Sequence, residues 1–364
     1  MPADATDGTL SAPTGTAAGP NRYPVTFTGQ AGEYFRIWIV NLTLTIITLG
    51  IYSAWAKVRR RRYFYGNTLI DGEPFEYHGQ PVAILKGRLI AVAIIAAGSV
   101  TSNVSHIAAV LISILQGIAF PWLIVRSIAF NSRNSSHRGL RFSFNGRWTE
   151  QLKIFVVGGF STIITLGAAY PFMKAQLLRF SFNHHAYGRT AFSLNLNART
   201  LYGIYLKGAL LAFGGSFVIV LVSLLVKLAM QSSTGAMKDE AGFLAAVLTL
   251  GVPAIYLILL SYFAVVTAGL TNATWNALEV GSVRFESTLR AGRLLWIYFT
   301  NALGVLVTLG LAIPWATIRS TRYRAECLTL ICHGSLADFT ALSTPEVSPT
   351  GEAIADLLDF DIGL

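Results

Sequence analysis

Long apolar runs alternate along the chain with short segments dense in basic and aromatic residues. The clearest join is Thr48–Gly66, TLGIYSAWAKVRRRRYFYG. Counting from Gly50, Trp55 falls at +5, Lys57 at +7, Arg59 at +9, Arg62 at +12 and Tyr63 at +13. From Gly167 the same frame gives Phe172 at +5, Lys174 at +7, and Arg179 and Phe180 at +12 and +13. From Gly310 it gives Trp315, Arg319, Arg322 and Tyr323 at +5, +9, +12 and +13. Thr-Leu precedes all three glycines, and a weaker copy follows Gly117 with Trp122, Arg126 and Phe130. Upstream, Phe27, Gly29, Glu33 and Ile37 return as Phe144, Gly146, Glu150 and Ile154 at a constant offset of 117. Several matches in one frame point to an internal repeat, with units over about residues 25–80, 142–197 and 285–340.

The apolar runs themselves predict an all-α polytopic membrane protein with internal repeats. Runs near residues 88–130 and 205–275 are each long enough for a transmembrane hairpin, at ~20 apolar residues per span. The repeat units pose a choice. Read straight through Gly50, residues 35–56 make one span, but the basic cluster from Lys174 to Lys207 is then exported without an acidic residue. Charge bias opposes that, because Lys and Arg collect on the cytoplasmic side. Broken at Gly50, Gly167 and Gly310, with Pro171 and Pro314 just beyond, each unit becomes a hairpin with both ends inside. Its first arm, Phe35–Thr48 in the first unit, has about 14 residues, uncharged but for Arg36 near its start, roughly 21 Å of helix against a hydrocarbon core of ~30 Å. The break therefore predicts a hairpin that re-enters the bilayer rather than spanning it, and five hairpins in all.

Short strand-like alternations follow the hairpins. Asp71-Gly72 is a turn signal ahead of Phe75 and Tyr77, and residues 142–146 and 192–196 alternate in the same way. Such strands cannot face lipid with unpaired backbone, so they are expected to form short cytoplasmic β segments beneath the basic helix ends.

Composition agrees with a membrane location. Of 364 residues, 53% are hydrophobic and 13% charged, against about 25% charged in soluble domains, and the mean hydropathy is +0.54. Net charge is +10; residues 1–22 carry −1 and residues 343–364 carry −5, so residues 23–342 stand at +16. Those cations sit at the ends of apolar helices, which argues for topology and lipid contact and against nucleic acid. Residues 1–22 read as a disordered tail and not as a signal peptide. Residues 343–364 read as an acidic tail, a candidate segment for a protein partner. Cys327 and Cys332 lack redox or zinc spacing.

Phe27–Gly29, Thr48–Tyr52, Trp55–Arg59, Tyr63–Thr68 and Phe75–Gly79 together resemble the YjgN-like family of bacterial inner-membrane proteins. The similarity spans roughly residues 22–342, and the third unit departs from it at Thr317 and Arg293, where lysine and glutamate are expected. The resemblance implies an integral, multi-pass protein of the bacterial inner membrane. It implies no reaction.

Nor do the residues themselves name one. There is no P-loop, HExxH or GxSxG, and His184-His185 are adjacent and so diverge. No metal, cofactor or catalytic set is expected, and the chain is read as a non-enzyme. Glu33 and Glu150 open apolar helices, where the helix dipole favours a carboxylate. Asn41 and Asn301 lie mid-helix in apolar surroundings and need partners there. The basic and aromatic ends suit anionic headgroups, at about 1 kcal/mol per cation near the surface. Trp55, Lys57, Arg59, Arg62, Tyr63, Phe172, Lys174, Arg179, Trp315, Arg319, Arg322 and Tyr323 are accordingly the candidate lipid- or anion-binding residues. Two functions follow as expectations: a transporter or lipid-handling protein with both termini cytoplasmic, or a non-catalytic scaffold that binds partners through its strands and acidic tail.

Overall fold

The computed structural model describes residues 20–101, 105–232, 244–245 and 247–343. The tails and the loop holding Lys238, Asp239 and Glu240 lie outside the described residues. Helix pairs alternate with short strand pairs along the whole chain. The order begins with β1 (Asn21–Phe27), α1 (Ala31–Ile47), α2 (Ser53–Gly66), β2 (Thr68–Ile70) and β3 (Glu73–Tyr77). It continues through α3 (Pro81–Thr101), α4 (His106–Arg133), β4 (Ser135–His137) and β5 (Leu140–Phe144). Then come α5 (Trp148–Ile164), α6 (Tyr170–Asn183), β6 (His185–Tyr187), β7 (Thr190–Leu194), α7 (Ala198–Ser232) and α8 (Val252–Asn276). The last elements are β8 (Leu278–Val280), β9 (Val283–Ser287), α9 (Ala291–Val307), α10 (Ile313–Glu326), β10 (Leu328–Cys332) and α11 (Leu336–Ser343).

The strands overturn the all-α expectation. All ten described strands close into one antiparallel barrel, in the order β1-β10-β9-β8-β7-β6-β5-β4-β3-β2. Four strand pairs are hairpins within the chain; the fifth joins the two ends, with Asn21 opposite Cys332 and Tyr23 opposite Leu330. The physical reason this was hidden is length. Strands such as Ser135–His137 and Leu278–Val280 have three residues, too few to show a period of two. Closure rests on a pairing between residues more than 300 positions apart, which no local pattern reports.

Four helices are long and apolar enough to cross a membrane: Pro81–Gly98, His106–Arg133, Ala198–Leu228 and Leu248–Asn276. The other three pairs are shorter, each a 17-residue helix followed by one of 14 residues. Their turns share one backbone form. Leu49, Leu166 and Leu309 have φ near +50°, and Gly50, Gly167 and Gly310 have φ of 93°, 93° and 95°. Only glycine takes the second position without steric cost. Each glycine N–H reaches back to a carbonyl of the first helix: Thr45, Thr162 and Val305, at 2.8, 2.7 and 2.8 Å. The preceding threonine completes the connection. Thr48 Oγ1 donates to the Leu44 carbonyl (2.7 Å) and accepts the Tyr52 N–H (2.9 Å), and Thr165 and Thr308 repeat both bonds. Pro171 and Pro314 stand in the first turn of the second helix, where the missing N–H costs nothing. Gly117 forms no such turn, and α4 runs straight through it.

Neighbouring pairs pack side by side, α2 on α3, α4 on α5, α6 on α7, α8 on α9 and α10 back on α1, so the helices form a closed ring above the barrel. The joint between helix and strand depends on an aromatic folded over a glycine. A Cβ on Gly29, Gly79 or Gly146 would stand 2.6, 2.5 or 2.4 Å from the ring of Phe27, Tyr77 or Phe144. Inside the barrel, Phe75, Phe142, Phe192 and Phe285 line an apolar cavity of about 150 Å³, and Leu336 and Phe339 of α11 line it too.

Candidate functional site

The basic and aromatic residues singled out from sequence are spread along the second helix of each short pair: Trp55, Phe172 and Trp315 stand in its first turn, and Tyr63, Arg179 and Tyr323 toward the barrel. The structure divides them into different roles. Arg179 donates through Nε to the Leu196 carbonyl (2.9 Å), and Arg322 to the Gly29 carbonyl (2.8 Å). Each thereby ties the second helix of one pair to the start of the next, which is a structural use of the guanidinium. Tyr63 and Tyr323 brace their own pairs. The Tyr63 hydroxyl accepts the Gln30 N–H (2.8 Å), and the Tyr323 hydroxyl accepts the Arg290 N–H (3.0 Å). Burial pushes both phenols above their ordinary pKa, so they stay neutral hydrogen-bonding groups at pH 7.

The polar positions within the helix pairs find partners close by. Glu33 lies 3.2 Å from the Tyr63 hydroxyl. Glu150 is 3.4 Å from His184, which joins the first and last turns of its pair. Asn301 donates to the Ala316 carbonyl (3.1 Å) and Ser320 Oγ (3.0 Å), and accepts from Arg319 (3.2 Å), all within α9 and α10. Asn41 is buried, and its Oδ1 has no partner among the described residues.

Two crevices between adjacent pairs remain as sites with room for a ligand. The first, of about 310 Å³, lies at the junction of α10 with the start of α1 (Ala31), and α9 forms its other wall through Arg293 and Ile297. It brings together Trp315, Arg319, Arg322 and Tyr323 as the spacing anticipated, and adds Arg293 and Glu326. Arg319 stacks over Trp315 at 5.1 Å. The second, of about 210 Å³, lies where α2 meets α3 and α4. Of the first unit's candidates only Lys57 reaches it; its companions are Arg88 and Arg126. Trp55 stacks on Tyr52 instead, Arg59 reaches the Tyr52 hydroxyl at 3.3 Å, and Arg62, Phe172 and Lys174 line neither crevice. Arg88 was not legible as a candidate, because it belongs to a different unit and meets Lys57 only through packing. Arg126 was visible as the +9 position of the weak copy after Gly117.

Nearer the axis, a vestibule of about 460 Å³ sits over the barrel, with Asn131, Ser132, Ser135 and His185 on its wall. Ser132 Oγ lies 2.8 Å from His185 Nε2, and burial lowers the His185 pKa. His137, deeper in the barrel, has its Nδ1 3.2 Å from the Pro74 carbonyl and its ring stacked on Phe75 at 4.5 Å. Burial likewise lowers its pKa. No three His, Cys, Asp or Glu side chains converge as metal ligands among the described residues.

Comparison with known proteins locates the chain. It is 27% identical over 349 residues to inner membrane protein YjgN of Salmonella typhimurium, covering 84% of this chain and 88% of that one. It is 34% identical over 146 residues to inner membrane protein YjgN of Escherichia coli O157:H7, covering 38% of this chain and 36% of that protein. No solved structure matches. The relatives are inner membrane proteins by name, and four apolar helices of spanning length fit an integral membrane protein. With residues 22–357 matching its profile, the chain belongs to the family described as bacterial protein of unknown function, DUF898.

Proposed function

We propose that this is a multi-pass inner-membrane protein that binds anionic phospholipid, or a similar amphipathic anion, in the crevices between helix pairs, and that it handles or transports such molecules. The observation that carries the reading is the crevice between α10 and α1. There three arginines and two interfacial aromatics border one space at the level where the helices turn from apolar to basic. Aromatic rings favour the headgroup level, and arginine forks suit phosphate oxygens. Above that level the tips of the short pairs are apolar and bare. Leu49, Leu166 and Leu309 are 95%, 95% and 93% exposed, which in water is a large unburied apolar surface and in lipid is an anchor.

The same arrangement supports an orientation. The basic helix ends and the barrel, with β1 and α11 at the two ends of the described chain, share one side, and the positive-inside rule makes that side cytoplasmic. The short pairs then enter the bilayer and return. Partner binding through free strands has less support, because a closed barrel offers no unpaired edge.

The test is lipid selectivity. Protein purified in nanodiscs of phosphatidylcholine, with or without phosphatidylglycerol, is released for native mass spectrometry. Retained adducts are expected to be enriched in phosphatidylglycerol, and Arg319→Gln is expected to reduce them. Retention in proportion to bulk composition would refute the reading. Exchange of labelled lipid in proteoliposomes then separates transport from binding.

A further inference from the structure

Lys57, Arg88 and Arg126 come from α2, α3 and α4 and line one cavity, none of whose lining residues is acidic. Among the described residues, neither these three nor the adjacent Arg61 take part in an ion pair. Arg61 and Arg88 are both near enough to act on the Lys57 ammonium as like charges. Neutral groups hold the cations in place. Arg88 donates to Ser53 Oγ. Arg61 donates to the Tyr77 hydroxyl (3.0 Å) and to Asn131 Oδ1, and Arg126 stands over Trp122 at 5.8 Å. The crevice between α10 and α1 differs in this respect, since Glu326 supplies a counter-charge there.

Collecting cations around one space without a counter-ion is unfavourable, because they repel one another and the half-buried Lys57 and Arg88 lose hydration. An anion at the centre reverses both effects. Guanidinium forks match phosphate oxygens in pairs, and an ammonium adds a point charge. We propose that the cavity bounded by Lys57, Arg88 and Arg126 is a binding site for a phosphate group, one carrying up to two negative charges. This rests on the lipid reading above and narrows it to one crevice. The remaining wall holds two neutral polar residues, Ser127 and Asn131 of α4; its α3 side, with Ala83, Ile84 and Ala91, is apolar and continues onto the exposed Leu89 and Val92 of α3, which favours a phosphate borne on a lipid.

The experiment measures the thermal midpoint of the full-length protein in neutral detergent with three additions: phosphatidylglycerol, phosphatidylcholine and inorganic pyrophosphate. It compares the native protein with Lys57→Gln/Arg88→Gln/Arg126→Gln and with Ala91→Phe, which fills the cavity and keeps the charges. Phosphatidylglycerol is expected to raise the native midpoint and phosphatidylcholine to leave it unchanged. Half-saturation by phosphatidylglycerol should weaken roughly tenfold or more in both variants, since charge-assisted bonds are lost or blocked. Should the triple variant fail to fold, Ala91→Phe decides alone. A shift by pyrophosphate equal to that by lipid, lost in the variants, supports the phosphate site and identifies a free anion as its occupant. Phosphatidylglycerol binding that survives in the variants overturns this site and leaves the wider lipid reading standing. Pyrophosphate binding that the variants lose, with no preference between the two lipids, keeps the site and removes the wider reading. No response of the native protein to any of the three removes both.

Discussion

Thr48, Thr165 and Thr308 each serve two helices at once, donating to the one that ends and capping the one that begins. The glycine two places on makes the reversal affordable in conformation. Gly50→Ala forces a Cβ into φ of 93° and is expected to cost about 1–2 kcal/mol. Gly117→Ala, inside continuous α4, is expected to be neutral or to stabilise by up to about 1 kcal/mol. Denaturation midpoints of the two purified variants test the contrast, and equal losses would contradict it. This turn was readable from sequence at Gly50, Gly167 and Gly310, where Thr-Leu precedes the glycine; Leu115-Gln116 precede Gly117 instead, so no threonine is placed there to cap a second helix. His137 makes the other residue-scale prediction. Its Nδ1 lies against the Pro74 carbonyl, which can only accept, so Nδ1 carries the proton. Its buried Nε2 has no partner among the described residues, and a proton placed there would be unsatisfied. The folded pKa accordingly lies below the ordinary 6.5, and His185 is shifted the same way. Above pH 6.5 both are neutral in either state and the stability is complete. As pH falls below 6.5 the unfolded chain takes up protons that the folded one refuses, and stability declines. Thermal midpoints are expected to drop from pH 7.5 to 5.5 on this account (about one pH unit either side of the free imidazole value), and His137→Gln to flatten the slope. An unchanged slope would exclude His137 as a contributor.

Among the elements, the short helix pairs set the topology. Single cysteines at Asp71 and Arg189, both in turns on the barrel side, are expected to react with an impermeant maleimide only from the cytoplasm. The background would be Cys327→Ala/Cys332→Ala. Cysteines at Leu49 and Leu166 are expected to react from neither side, as tips in lipid. Labelling of Asp71 and Arg189 from opposite faces would reject the re-entrant arrangement. How much of this was legible varies by element. Helix pairs announced themselves because an apolar arm, a glycine and a basic arm differ in composition. The inner strands did not: Leu278–Val280 is one apolar-polar-apolar step, too short to establish a period, and Ser135–His137 is buried although every residue in it is polar. The bonds of Arg179 and Arg322 to backbone carbonyls were not readable, because sequence shows a charge and not the carbonyl it meets. Arg88 was missed for the complementary reason, since its partners come from another unit.

At the scale of the molecule, the ring of helices and the barrel are two forms of one cyclic order. Each helix pair hangs from a strand pair, and the chain ends supply the last strand pair between them. Removing residues 1–20 is expected to leave the folded state intact. Removing residues 1–27 deletes β1, exposes the edges of β10 and β2, and is expected to abolish recovery of monodisperse protein in size-exclusion chromatography. Recovery of a stable monomer without β1 would show that the barrel does not need closure.

The meeting of β1 with β10 also fixes a sequence of events in time. Asn21 leaves the ribosome more than 300 residues ahead of its partner Cys332. The helix pairs can enter the bilayer one after another as they are made, each bringing a strand pair that needs only its neighbour. The seam cannot form until β10 has been made, and contacts of such separation are slow to find. Until then the nascent barrel is an open sheet with two unpaired edges, so the interval before closure is when the protein is most exposed to aggregation. A circular permutant opened at Gly188-Arg189 and joined through residues 1–20 would move that interval to another pair of strands without changing the finished architecture.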